Sequence, residues 1–263
     1  MTVTRPGRTR VRKMLNKVPE VTLAFWVIKV LATTVGETAA DLLGTNLGLG
    51  LTTTTYVMTT LLLAALFFQF RARKYIPGIY WLVVVLISIV GTLITDNLVD
   101  QYEVSLETTT TVFAIALAVT FAVWYASERT LSIHTIYTTK RETFYWLAIL
   151  FTFALGTAAG DLVSERLDLG YWKAALIFAA LIGVVAIAYY RFKLNEVAAF
   201  WMAYILTRPL GASTGDYASQ PRSNGGLGLG TIGTSVIFLT VILGLVVFLT
   251  ISQRRQAPVL ESG

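Results

Sequence analysis

The chain has 263 residues, of which 55% are hydrophobic and only 14% charged, with a formal net charge of +6. Soluble domains carry about 25% charged residues, so this composition points to a polytopic membrane protein. The positive balance does not imply nucleic acid, because the basic residues sit in short clusters between apolar spans. The absence of cysteine excludes disulfides, thiolate metal sites and thiol nucleophiles. A single histidine, His134, leaves little room for soft-metal coordination or a Ser-His-Asp triad.

In chain order, Met1–Lys17 is a basic stretch expected to form a cytoplasmic leader. The apolar run behind it is too long for a signal-peptide core and contains Lys29, Glu37 and Asp41. Apolar runs bounded by charge and turn residues predict eight transmembrane helices. They fall at Val21–Leu43, Thr52–Phe70, Ile79–Leu98, Thr108–Ala126, Phe144–Val163, Trp172–Tyr190, Val197–Asp216 and Leu229–Ile251. Basic residues follow helices 2, 4, 6 and 8, whereas the loops Gly44–Leu51 and Asn97–Glu107 contain no Lys or Arg. By the positive-inside rule both termini are cytoplasmic.

A frame recurs through these helices. Trp26, Gly36 and Asp41 are spaced as Trp81, Gly91 and Asp96, as Trp146, Gly156 and Asp161, and as Trp201, Gly211 and Asp216. An aromatic residue precedes each Trp: Phe25, Tyr80, Tyr145 and Phe200. The expected organisation is four parallel two-helix repeats (19–74, 75–140, 141–193, 194–255) between a leader, 1–18, and a tail, 256–263. An even number of helices per repeat relates the copies by an axis along the membrane normal. The odd helices, which carry the frame, are expected to face one another, and the plainer even helices to face lipid.

The stretches KVPEVTLAFWVIKVLATTVGETAADLL, GTLITDNLVD and FYWLAILFTFALGTAAGDL resemble a family of bacterial membrane-anchored proteins. That family is built of four tandem repeats, each with two transmembrane regions and a characteristic Trp. Its repeat has no assigned function, so the resemblance implies topology and a location in the bacterial cytoplasmic membrane, and no chemistry.

The fifteen steps from Trp to Asp span about 22 Å of helix, most of the hydrocarbon core. The Trp is expected to anchor at the inner interface. The Gly begins a small-xxx-small pattern completed by Ala40, Thr95, Gly160 and Gly215, which lets helices approach closely. The Asp is either an interfacial cap or one of a ring of four carboxylates; an ionisable residue in a span is by default a functional candidate.

Reading back from each Asp in steps of four keeps to one helix face. That face carries Glu37, Thr33 and Lys29 in repeat 1, and Thr92, Ser88 and Val84 in repeat 2. It carries Thr157, Phe153 and Ile149 in repeat 3, and Ala212, Arg208 and Tyr204 in repeat 4. Five carboxylates (Glu37, Asp41, Asp96, Asp161, Asp216) then share an interior with two bases, Lys29 and Arg208, an excess of three negative charges. Either some are protonated or a cation is present. Gly160-Asp161, Gly215-Asp216 and Pro209 are expected to interrupt their helices, Pro209 freeing a carbonyl.

These features favour a transporter or channel for a hard cation (H⁺, Na⁺, Mg²⁺, Ca²⁺ or Mn²⁺), because every donor is an oxygen. The ion pathway is expected at Glu37, Asp41, Asp96, Asp161, Asp216, Lys29, Thr33, Ser88, Thr92, Thr157 and Arg208, with the five carboxylates as candidate metal ligands. Glu37-x3-Asp41 loosely resembles acidic helix motifs of cation exchangers, with a different spacing and no basic residue after the Asp. Two alternatives stay open. One is a non-transporting module, such as a sensor, an assembly factor or a binder of an apolar ligand. The other is an intramembrane aspartyl protease, which four equivalent acids fit poorly. No enzyme activity, cofactor or nucleic-acid partner is expected beyond the bilayer and a small cation.

Overall fold

The structure, a computed structural model, describes residues 16–261. Among them are eight α-helices: α1 Leu23–Asp41, α2 Leu51–Arg71, α3 Pro77–Asp96, α4 Leu106–Glu128, α5 Thr139–Asp161, α6 Tyr171–Phe192, α7 Glu196–Ser219 and α8 Gly230–Glu261. All except α7 are long and apolar enough to cross a membrane. Helix α7 is lowered in hydropathy by Arg208, Pro209 and a run of small polar residues, and it is packed within the bundle. The basic sequence before residue 16 lies outside the described residues. Lys17, at the end of the expected cytoplasmic leader, is buried and ion-paired with Glu142 at 2.6 Å.

Helix starts follow local chemistry. Thr22, Ser105, Thr138 and Asn195 accept hydrogen bonds from backbone N–H groups of the first turns of α1, α4, α5 and α7. Pro77 opens α3, where its missing donor costs nothing. The Thr138 cap explains why α5 starts at Thr139 rather than Phe144: its polar first turn is already helical. Replacing Asn195 by Ala removes the acceptor for Val197 and Ala198 N–H (3.0 and 3.2 Å). The expected loss is about 1 kcal/mol, read as a lowered midpoint of thermal unfolding in detergent.

The odd helices form a closed ring in which α1 packs on α3, α3 on α5, α5 on α7 and α7 on α1. The even helices form an outer layer, each covering the odd helix of the next repeat. Thus α2 lies on α3, α4 on α5 and α6 on α7, and α8 closes the circle by lying on α1. The most apolar windows of α1, α3 and α5 are 56–72% buried, against 17–22% for α2, α4, α6 and α8. The outer helices expose Leu63, Phe68, Ile115, Val184 and Leu243, as a lipid-facing surface does.

The Trp residues do not anchor at the interface. Trp81, Trp146 and Trp201 are buried and Trp26 is half-buried. Each packs against the aromatic residue of the preceding repeat. Ring centroids are 5.6 Å apart for Phe25 and Trp81, 5.4 Å for Tyr80 and Trp146, 6.2 Å for Tyr145 and Trp201, and 5.7 Å for Phe200 and Trp26. Ring closure forces this: the residue beside each Trp points to the axis, so the Trp fills the seam between adjacent inner helices.

The frame glycines are the second cyclic contact. A Cβ on Gly36 would fall 2.6 Å from Ser88 Cβ, and one on Gly91 2.7 Å from Phe153 Cβ. The corresponding approaches are 2.5 Å from Gly156 to Arg208 and 2.5 Å from Gly211 to Thr33. Each glycine therefore receives the axis-facing residue of the next repeat.

Helix α7 runs through Pro209 without interruption, and neither Gly160 nor Gly215 ends its helix. The break comes after the Asp instead. Repeats 1–3 each pass into a π-helical turn, at Leu42–Asn46, Asn97–Gln101 and Leu162–Arg166. A residue with positive φ follows each turn: Gly48 (69°), Glu103 (53°) and Asp168 (53°).

Candidate functional site

The polar interior lies on the ring axis and reads as layers four residues apart. At the inner end Phe25, Tyr80, Tyr145 and Phe200 are all buried, and Tyr80 and Tyr145 share a hydrogen bond of 2.5 Å between their hydroxyls. Above them Lys29 is fully buried, with Nζ 4.1 Å from the centroid of Phe153 and 4.2 Å from that of Tyr204. Two ring faces offer a cation an attractive quadrupole, yet among the described residues Lys29 Nζ has no hydrogen-bond acceptor.

The next layer is built on Arg208, which is fully buried. Its Nη1 donates to the carbonyl of Thr33 at 3.0 Å. Its Nη2 donates to Glu37 Oε2 at 2.9 Å, to Thr157 Oγ1 at 2.6 Å and to Thr92 Oγ1. The other three repeats thus meet at the guanidinium of repeat 4: Thr33 and Glu37 from repeat 1, Thr92 from repeat 2 and Thr157 from repeat 3. Thr33 also donates to the carbonyl of Thr207, at 3.3 Å. Ser88 Oγ is buried at this level without a partner among the described residues.

At the outer end, carboxylate oxygens of Glu37, Asp161 and Asp216 lie within 4.8 Å of one another. Glu37 is shared: one face meets Arg208 and the other completes the acidic trio. Among the described residues neither Asp161 nor Asp216 has a basic group at ion-pair distance. Asp41 and Asp96 are half-buried on α1 and α3 and stand outside the trio. The four frame aspartates therefore do not form one equivalent ring. The cluster takes two of them and adds Glu37.

All eleven residues singled out in the sequence lie on the inner helices; nine fall into two groups, and Asp41 and Asp96 stand apart. Glu37, Asp161 and Asp216 form the acidic trio. Thr33, Thr92, Thr157 and Arg208 form the guanidinium layer, with Ser88 beside it and Lys29 one step below. The Thr runs that open α2 and α4 have other roles: Thr52 donates to Gln101 Oε1 at 2.7 Å, and Thr55 accepts from Asn97 Nδ2 at 2.8 Å, bracing the second π-turn. Lys173 is exposed and lies over Trp172, reaching outward and not to an Asp.

Sequence reasoning missed the π-turns and the two acids they present, Asp100 and Glu165. Both lie four residues past a frame Asp, so the step-of-four reading would have reached them had it been continued outward. It also stopped one step short of Tyr80 and Tyr145 at the inner end, which lie four residues before Val84 and Ile149.

Four parallel hairpins around a polar axis define a multi-pass helical membrane protein of internal fourfold pseudosymmetry. The chain belongs to the family described as Repeat of Unknown Function (DUF347), whose model matches residues 24–75, 79–130, 144–195 and 199–255. Neither the curated proteins nor the solved structures provide a match to this chain.

Proposed function

We propose that the protein carries a hard cation across the membrane, taking it at the outer end of the ring on Glu37, Asp161 and Asp216. The observation that carries this reading is the meeting of those three carboxylates, from three different repeats, beside a single paired arginine. Carboxylates this close repel unless a proton or metal ion sits among them, and an all-oxygen set suits H⁺, Na⁺, Mg²⁺, Ca²⁺ or Mn²⁺. Asp41, Asp96, Asp100 and Glu165 lie at the same outer end, on the last residues of α1 and α3 and in two of the π-turns, and charge of one sign concentrates cations. A carrier fits better than an open pore, because the buried aromatic layer seals the axis below Lys29.

The test is flux into proteoliposomes over H⁺, Na⁺, Mg²⁺, Ca²⁺ and Mn²⁺. The wild type should take up at least one of them down its gradient. Glu37→Gln and Asp216→Asn should each lower that uptake by about 100-fold, corresponding to about 2.7 kcal/mol at the barrier. Uptake of none of the five, or full uptake in both variants, defeats the proposal.

One observation favours a second reading, an apolar-ligand module. A cavity of about 500 Å³ opens between α1, α6 and α7, lined by Val30, Ile182, Val185 and Phe200, with His134 and Glu196 at its rim. Lipid or another apolar molecule retained through purification, in a protein inactive in every flux assay, supports this reading instead.

A further inference from the structure

The four seams between inner helices are not filled alike. Trp81, Trp146 and Trp201 are buried, whereas Trp26 is half-buried. Over Trp201 the outer helix α4 lays two rings, Phe121 with its centroid 4.9 Å away and Trp124 with its centroid 5.9 Å away. Trp124 also stacks on Phe144. Helix α6 takes the equivalent place over Trp26. Repeats 2 and 3 are in register at a spacing of 65 residues, as Tyr80 and Tyr145 are, so Phe121 corresponds to Ala186 and Trp124 to Tyr189.

The inward stripe of α4 is buried throughout, at Thr109, Phe113, Leu117, Thr120 and Trp124. The same stripe of α6 is buried at Ala174, Phe178 and Val185, half-buried at Ile182 and exposed at Tyr189. Tyr189 packs on Tyr190 instead, with centroids 5.0 Å apart. One ring is thus replaced by a methyl group and the other does not cover the seam.

The space they leave is the cavity of about 500 Å³ between α1, α6 and α7, within the range of about 300–1,000 Å³ that ligand pockets occupy. Its lining on α7 runs from Glu196 to Leu210, about 21 Å of helix. One leaflet of a bilayer core is about 15 Å deep, so the cavity has the reach of an acyl chain. Its walls at Trp26, Val30, Ile182, Val185 and Ala203 are apolar, and Ser132, His134 and Glu196 gather at its inner end. Tyr190 lines it and is exposed, so the cavity is reached from the surface that α6 turns to lipid.

The rim carries both signs of charge. The Glu196 side chain is 69% exposed and lies 3.3 Å from His134 Nε2. Lys193, three residues earlier on the same turn, caps α6. A headgroup with an ammonium and a phosphate answers both; an anionic glycerol headgroup leaves Glu196 facing like charge. Complementary charge of this kind selects among partners of similar shape.

We propose that this seam is a binding site for one phospholipid of the inner leaflet, with its acyl chain over Trp26 in the place of the two rings and its ammonium-bearing headgroup at Glu196. The proposal rests on the cavity behind the second reading above, names its occupant, and holds whether or not the protein carries a cation.

The experiment reconstitutes the full chain in vesicles of equal phosphatidylethanolamine and phosphatidylglycerol, re-extracts it in mild detergent and weighs it by native mass spectrometry. The wild type should retain a single phosphatidylethanolamine, about tenfold in preference to phosphatidylglycerol, the selectivity of one charge-assisted hydrogen bond. Ala186→Phe restores the ring that repeat 2 carries and fills the cavity; the retained lipid should be lost. Glu196→Gln, an exposed change, should keep a lipid bound and abolish the preference. It remains decisive if Ala186→Phe does not fold. No lipid on the wild type, or equal retention in Ala186→Phe, overturns the site. Equal enrichment of both lipids, or a preference unchanged in Glu196→Gln, overturns the headgroup assignment. A retained apolar molecule without a phosphate overturns the phospholipid. The outcome separates from flux: lipid held by a protein that carries a cation supports the site beside the carrier, and a lipid-free protein that carries one removes the site and leaves the carrier standing.

Discussion

Arg208→Met destabilises the folded bundle by about 3–5 kcal/mol, the cost of leaving one partner of a buried ion pair uncompensated. Arg208 is fully buried, and its Nη2 serves Glu37, Thr157 and Thr92 while Nη1 holds the carbonyl of Thr33. Methionine replaces most of the stem volume, so the loss comes chiefly from stranding Glu37, because Thr92 and Thr157 still donate to the carbonyls of Ser88 and Phe153. Adding Glu37→Gln to Arg208→Met removes the stranded charge and should recover more than half of the loss. The measurement is a double-mutant cycle on unfolding in mixed micelles. A double variant as unstable as Arg208→Met alone would show that the guanidinium matters through packing and not through its pairing with Glu37.

Alanine at any of the four frame glycines is the second large effect. At Gly91 the new methyl would meet Phe153 Cβ at 2.7 Å and the backbone nitrogen of Ala154 at 3.2 Å, so the α3–α5 seam must open. Gly36, Gly156 and Gly211 meet the neighbouring repeat at similar range. Overpacking of this kind costs about 1–3 kcal/mol per site. Gly183 of α6 and Gly244 of α8 have nothing within 4 Å of an added Cβ. Alanine there should be neutral or stabilise by up to about 1 kcal/mol, the difference in helix propensity. Thermal unfolding of the six single variants checks the contrast. Equal effects at inner and outer glycines would contradict the ring as the packed core.

Much of the fold was legible because the bilayer restricts the options. Apolar runs of fixed length, basic clusters on alternate loops and a spacing repeated four times leave few arrangements other than parallel hairpins. The step of four from Asp41 reached Glu37, Thr33 and Lys29 correctly as one face, since helical periodicity is local. The same step placed Arg208 on the equivalent face of α7. Trp was misread because an aromatic near a helix end has two environments open to it, the lipid interface and a helix seam. Only knowledge of the neighbour separates them. The role of Pro209 was misread for a related reason: packed within the bundle, the chain stays helical where local chemistry predicts a break.

By itself the sequence determined the number of spans, their shared orientation, the fourfold frame and the set of polar residues that must avoid lipid. These follow from composition and periodicity, which act within a helix or between a helix and its solvent. The tertiary structure alone decided that each outer helix covers the next repeat, that four glycines receive four axis residues in a circle, and that Glu37 joins Asp161 and Asp216 while Arg208 gathers residues from the other three repeats. Those contacts join positions up to 197 residues apart, as between Thr38 and Ser235. Nothing in the local pattern says which of four similar repeats will meet at the axis; that depends on how the ring closes.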